Sequence, residues 1–139
     1  MEQNIWEYDD FIFKGDELKG MTQKGKDKVK LEGKTDLVIP ELTPDGLPLK
    51  KIGDNAFYRR GLTSVVIPNT VESIGYDAFG VCKLKEVKLP EALVNIEGFA
   101  FYRNKLTKVE FGSKVKRLEP SSFAMNELPE LNLPESLEY

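Results

Sequence analysis

The sequence predicts a right-handed parallel solenoid, mainly β, whose 22-residue coils stack behind an amino-terminal β-hairpin cap. Three observations carry this. Ile52, Ile74, Ile96 and Leu118 recur at a fixed interval of 22 residues, in step with Phe57, Phe79, Phe101 and Phe123 and with Leu62, Leu84, Leu106 and Leu128. The positions between these columns vary, as expected where each unit buries its apolar face against the next. "DLVIP" at 36–40 restates "SVVIP" at 64–68, so the repetition begins one coil before the regular columns. Residues 1–35, in contrast, do not follow the period.

Taken in order, Phe11 and Phe13 alternate with Asp10, Ile12 and Lys14 before a Gly-Asp pair, and Leu18 and Met21 follow. This pattern reads as a hairpin turning near Lys14 to Glu17. A first coil without such a cap would present a naked apolar end and an unpaired strand edge to water. In "QKGKDKVKLEGKTD", Val29 and Leu31 alternate with Lys28 and Lys30, which predicts a half-buried strand or turn with a solvated lysine face. Residues 36–51 form an irregular first coil. Its extra segment "TPDGLP" at 43–48 is rich in turn formers and predicts a projecting loop.

Four regular coils occupy 52–139. "LTSVVI", "LKEVKL", "LTKVEF" and "LPELNL" fit the L-x-x-L-x-L pattern and place short parallel strands near 64–67, 86–89, 108–111 and 130–133. Pleating sends Val65 and Ile67 inward, Ser64 and Val66 outward. Ala56, Ala78, Ala100 and Ser122 are small beside the Phe column, as a tight corner requires. The return side should hold turns, brief strands or 3-10 turns, with little α-helix.

"IGDNAFYRRGLTSVVIPNTVESIGYDAFGVCKLKEVKLPEALVNI" resembles the BspA-type leucine-rich repeats of bacterial surface proteins. "ELKGMTQKGKDKVKLEGKTDLVIP" resembles what precedes such repeats in cell-wall-associated proteins of Gram-positive bacteria. The resemblance implies a leucine-rich repeat solenoid at the cell surface or secreted, in adhesion, with a protein ligand such as host extracellular matrix or another surface protein. Its Cys-or-Asn column holds Arg60, Cys82, Asn104 and Asn126, so the first coil departs from the pattern, and Glu119-Pro120 departs in the last.

Composition narrows the function classes. The 139 residues carry 20 Lys plus Arg against 23 Asp plus Glu, a net charge of −3. Overall this supplies no basic footprint for nucleic acid. No apolar run approaches the ~18 residues of a membrane span. Absence of His removes the commonest general base and metal ligand, and no P-loop, G-x-S-x-G or metal-spaced cluster appears, so neither an enzyme nor a cofactor is expected. Cys82 is expected to be structural, because its column mates are the turn-forming Asn104 and Asn126.

Candidate partner contacts are the side chains that the repeat itself does not require. Tyr58 and Tyr102 share a column with Gly80 between them, which predicts a notch between two rings, and Arg59 and Arg103 follow. Tyr76 and Phe99 stand in otherwise polar or small columns. Val38 and Val66 are apolar at outward strand positions, to be covered either by the cap or by a partner. The other outward positions alternate in charge, Glu86 beside Lys108 beside Glu130 and Lys88 beside Glu110, which predicts a self-paired face. A spacer that presents another domain is the competing reading. With no capping sequence after residue 139, Leu131, Leu133 and Leu137 are expected on an open edge, either of a fragment of a longer protein or of a self-associating one.

Overall fold

The computed structural model describes residues 5–119, 121–129 and 132–138. The hairpin forms as expected. β1 (Phe11–Lys14) pairs antiparallel with β2 (Glu17–Met21), turning at Gly15, whose φ of +59° suits glycine. β2 then pairs in parallel with β4 (Lys51–Ile52), setting Leu18 against Ile52. The cap is therefore continuous with the coils.

Residues 23–30 do not form the strand or turn that alternation suggested. They form a helix, α1 (Gln23–Lys30). Thr22 caps it, its Oγ1 accepting from Gly25 N at 3.2 Å. Gly25, Lys28 and Val29 are buried on one helical face, whereas Leu31 is 73% exposed. Spacing of i, i+3 and i+4 is the helical signature, hidden here because the second buried position is a lysine. Nor is the lysine face wholly solvated. Lys28 Nζ lies 2.6 Å from Oδ2 of fully buried Asp10 and donates to Ile5 O at 2.6 Å. Gly25 is where helix and cap touch: a β-carbon there would collide with Asp10 O.

In the coils, β3 (Asp36–Val38), β5 (Ser64–Val66), β7 (Glu86–Lys88) and β9 (Lys108–Glu110) fall where L-x-x-L-x-L places them. The strand foreseen at 130–133 includes Glu130 and Leu131, outside the described residues. The continuous sheet, however, is on the other side. β4, β6 (Ser73–Ile74), β8 (Asn95–Ile96) and β10 (Arg117–Leu118) extend the hairpin into six strands ordered β1-β2-β4-β6-β8-β10. Among the described residues, the face expected to hold one parallel sheet holds two pairs, β3–β5 and β7–β9. Three-residue strands offer so few ladder bonds that a small twist between coils interrupts the ladder without separating the coils. At the break the coils stay joined by Lys83 N donating to Leu62 O at 2.8 Å.

The core is a set of columns. Phe57, Phe79, Phe101 and Phe123 stack with centroids 5.3, 5.3 and 5.4 Å apart, close to the rise between neighbouring strands. Phe11 closes the amino-terminal end of the stack edge-on at 6.4 Å. Ala56, Ala78, Ala100 and Ser122 are buried beside it.

A polar ladder runs parallel to this stack. Asn104 Oδ1 accepts from Leu84 N at 3.0 Å, and its Nδ2 donates to Phe79 O at 2.9 Å and Phe101 O at 3.1 Å. Asn126 repeats the arrangement one coil on, with Leu106 N, Phe101 O and Phe123 O. At Cys82, Sγ donates to Phe57 O at 3.3 Å, and burial pushes the thiol pKa up. The column thus ties each corner to the coil before it.

Candidate binding surface

Each coil turns a corner just after its inner-sheet residue, and the geometry of that corner aims the outward side chains. Asn55, Asp77 and Phe99 share one column with φ of 58°, 54° and 59°, and Arg59, Val81, Arg103 and Met125 share another at 59°, 54°, 54° and 59°. Asn and Asp tolerate the left-handed region, while a bulky side chain there costs of order 1–2 kcal/mol. Phe99 is held there by its coil: Asp77 N donates to Gly98 O and Phe101 N to Ser122 O.

The left-handed backbone sets the Phe99 ring between two tyrosines. Tyr76 packs edge-on at 5.5 Å and Tyr102 at 5.1 Å. Arg103 lies 6.0 Å over the Tyr102 ring and is exposed, as is Tyr76 at 46%. Four of the sequence-derived candidates therefore form one aromatic ridge across two coils. Tyr58 is not part of it. Its ring lies over Gly80, Cδ1 being 3.2 Å from where a β-carbon would stand, so the notch expected at Gly80 is filled by Tyr58 itself. Arg59 in turn covers Tyr58, centroid to guanidinium 5.4 Å, with Nε donating to the Tyr58 hydroxyl at 3.0 Å.

Val38 and Val66 are adjacent in register and exposed at 49% and 59%; the cap does not cover them. It stops beside Val38 instead. Trp6 Nε1 donates to Asp36 O at 2.7 Å and the Tyr8 hydroxyl to Leu42 O at 3.0 Å, pinning the cap to the sides of the strand. This leaves a cavity of about 490 Å3 lined by Trp6, Tyr8, Phe11, Lys34, Val38 and Pro40, among others. Trp6 and Tyr8 precede the hairpin and lie outside the repeat, and nothing in the sequence pattern says where the cap ends. On the neighbouring strands Glu86 faces Lys108 and Lys88 faces Glu110 in register, yet neither pair is among the ion pairs closer than 4.0 Å. Both side chains of each pair are long and exposed, and the entropy of fixing them opposes a gain of well under ~1 kcal/mol. The Lys108–Glu130 neighbour lies outside the described residues.

A family model described as a BspA type leucine rich repeat region, of six copies, matches residues 50–139. The chain belongs to the BspA-type leucine-rich repeat family. In this family member the matched span starts one residue before β4 and contains all four regular coils. The chain is similar to a leucine-rich repeat protein from Bacteroides capillosus at 27% identity and a TM-score of 0.62, covering 88% of this chain and 84% of that one. It is also similar to a leucine rich cell surface protein from Faecalibacterium prausnitzii at 25% identity and a TM-score of 0.58, covering 91% of this chain and 41% of that one. Among curated proteins there is no significant match. Among the described residues, no group of three or more His, Cys, Asp and Glu side chains is placed to hold a metal ion, and no helix is long and apolar enough to cross a membrane.

Proposed function

We propose that this BspA-type repeat domain is a non-catalytic, protein-binding module of a bacterial surface protein, acting in adhesion through the ridge of Tyr76, Phe99, Tyr102 and Arg103. The observation that carries the reading is Phe99, a large apolar side chain in a left-handed corner where the two preceding coils place Asn55 and Asp77. The fold does not need it there. Tyr and Arg are the usual anchors of protein interfaces, and here they flank a half-buried Phe99 with Tyr76 exposed at 46%. The surface location is supported by the family and by the Faecalibacterium cell surface protein that the chain resembles.

The test uses residues that other coils already carry at the same positions: Tyr76→Asp, Phe99→Asn and Tyr102→Ala, combined. Surface plasmon resonance against immobilised extracellular matrix proteins should detect a ligand for the unaltered chain and lose it in the triple variant. Equal binding by both, with unaltered folding, would support the spacer reading instead. Val38 and Val66 form a second contact candidate on the strand face, and Leu133, 44% exposed in the last coil, is where sedimentation would look for self-association.

A further inference from the structure

The chain is acidic overall, but its cations are not evenly spread. Where α1 crosses the corner of the first regular coil, a cleft of about 540 Å3 is lined by Lys26, Lys30, Arg59, Arg60 and Lys83, with Asp27 as its only carboxylate among the described residues. None of the five cations closes an ion pair among the described residues, and the Asp27 carboxylate already accepts from Gln23 Nε2 at 2.9 Å. Five positive groups held around one concavity, uncompensated, focus a field that attracts anions.

The backbone builds this concavity deliberately. Arg59 and Gly61 both take positive φ, 59° and 72°, so the chain doubles back under α1. Arg60 occupies the column where Cys82, Asn104 and Asn126 bond to the preceding coil. In the first regular coil α1 stands alongside instead, and Arg60 lines the cleft. The departure of Arg60 from the family pattern thus coincides with the cleft. Arg59 is oriented by its Nε bond to Tyr58, which leaves its terminal nitrogens for a ligand. A guanidinium fork matches carboxylate and sulfate oxygens bidentately.

We infer that this cleft binds an anionic polysaccharide, a chain of sugars carrying sulfate or carboxylate groups. The remaining lining explains the choice of class. Gln23, whose amide keeps its oxygen and one N–H beyond the bond to Asp27, and Thr35, whose hydroxyl shares a hydrogen bond with Thr63 Oγ1 at 2.8 Å, add polar groups suited to sugar hydroxyls, while Val29 is buried at 8% exposure and adds little apolar surface. Bases of a nucleic acid require an open aromatic face, and the Tyr58 ring is already sandwiched between Gly80 and Arg59. This inference does not depend on the aromatic ridge.

The experiment measures binding of a size-defined heparin oligosaccharide by isothermal titration calorimetry, with polyglutamate and a single-stranded oligonucleotide as competing probes. Lys26→Gln, Lys30→Gln, Arg60→Gln and Lys83→Gln, combined, should weaken heparin binding by about 30-fold, at about 2.3-fold for each exposed charge contact. Arg59 is left in place so that its packing on the Tyr58 ring is undisturbed. An equal loss of charge elsewhere, from Lys105→Gln, Lys108→Gln, Lys114→Gln and Lys116→Gln, should change affinity less than about threefold. Circular dichroism checks that both variants fold. The inference is overturned if heparin does not bind, if the control variant loses as much affinity as the cleft variant, or if polyglutamate or the oligonucleotide binds as tightly as heparin. Retention of heparin binding by the triple ridge variant is expected and separates this site from the proposed adhesion surface.

Discussion

Replacing Asn104 with Ala should cost about 3 kcal/mol, and the figure follows from which backbone groups are left without partners. The side chain is 6% exposed and bonds Leu84 N, Phe79 O and Phe101 O. Phe101 O keeps a second donor in Asn126 Nδ2 at 2.9 Å. Among the described residues Leu84 N and Phe79 O have no other hydrogen bond, so two buried groups are orphaned, at about 1–3 kcal/mol each. Little is recovered by relaxation, because both groups belong to corners fixed by the Phe stack. For a chain of this size the loss corresponds to a fall in Tm of about 10 °C. Thermal unfolding followed by circular dichroism measures it, with urea unfolding as a check that the transition stays cooperative, since solenoid coils couple mainly to their neighbours. The reciprocal change strengthens the test. Cys82→Asn places the same side chain one coil earlier, where Phe57 O already accepts from the thiol, and should add about 1 kcal/mol. A loss below about 1 kcal/mol in Asn104→Ala, or destabilisation by Cys82→Asn, would refute the idea that this column joins the coils.

Gly25→Ala should destabilise the cap by about 1–3 kcal/mol despite the better helix propensity of Ala, because the new β-carbon meets backbone at Asp10 O; calorimetry of the variant measures it. Val81→Asn should raise stability by about 1 kcal/mol in urea unfolding, since a β-branched residue at φ 54° is strained and Asn is not. Phe99→Asn should leave stability within about 1 kcal/mol of the unaltered chain, relief of the left-handed strain offsetting two lost edge-on ring contacts, while it weakens binding by the ridge. Burial raises the folded pKa of Cys82 above its ordinary 9.0, so its contribution to stability is present in full below pH 9.0 and is lost as pH rises from there toward the folded value. Titration with a thiol reagent at pH 8 should accordingly be slow in the native protein and fast in urea.

What was legible in the sequence was whatever the repeat enforces. Every column that must be apolar or small for coils to stack, from Ile52 to Phe123, is visible because it recurs, and the Asn column is visible for the same reason. The structure's other features depend on events that happen once. α1 is amphipathic only if Lys28 counts as a buried residue, and Lys28 is buried because Asp10, 18 residues earlier, is there to meet it. A pattern rule that scores lysine as solvent-facing reads a strand there. The filled notch at Gly80 has the same origin: column positions fix where Tyr58 starts, but the side chain is free to lean on whichever neighbour lacks a β-carbon. The charged strand face departs from expectation in the opposite direction, since register places Glu86 beside Lys108 without obliging them to touch.

The same distinction bears on where function is to be sought. Residues that recur in every coil are accounted for by stacking, so a binding surface must draw on those that do not, and each of the two surfaces argued for this chain contains one. Phe99 breaks a column of Asn and Asp, and Arg60 breaks a column of Cys and Asn. Each break coincides with a cluster that the period could not foresee, the aromatic ridge in one case and the basic cleft under α1 in the other. If the ridge and the cleft were incidental, restoring the column residue at 99 or at 60 would change neither binding nor anything else but stability. Phe99→Asn and Arg60→Asn, made singly, should instead each weaken one ligand and spare the other.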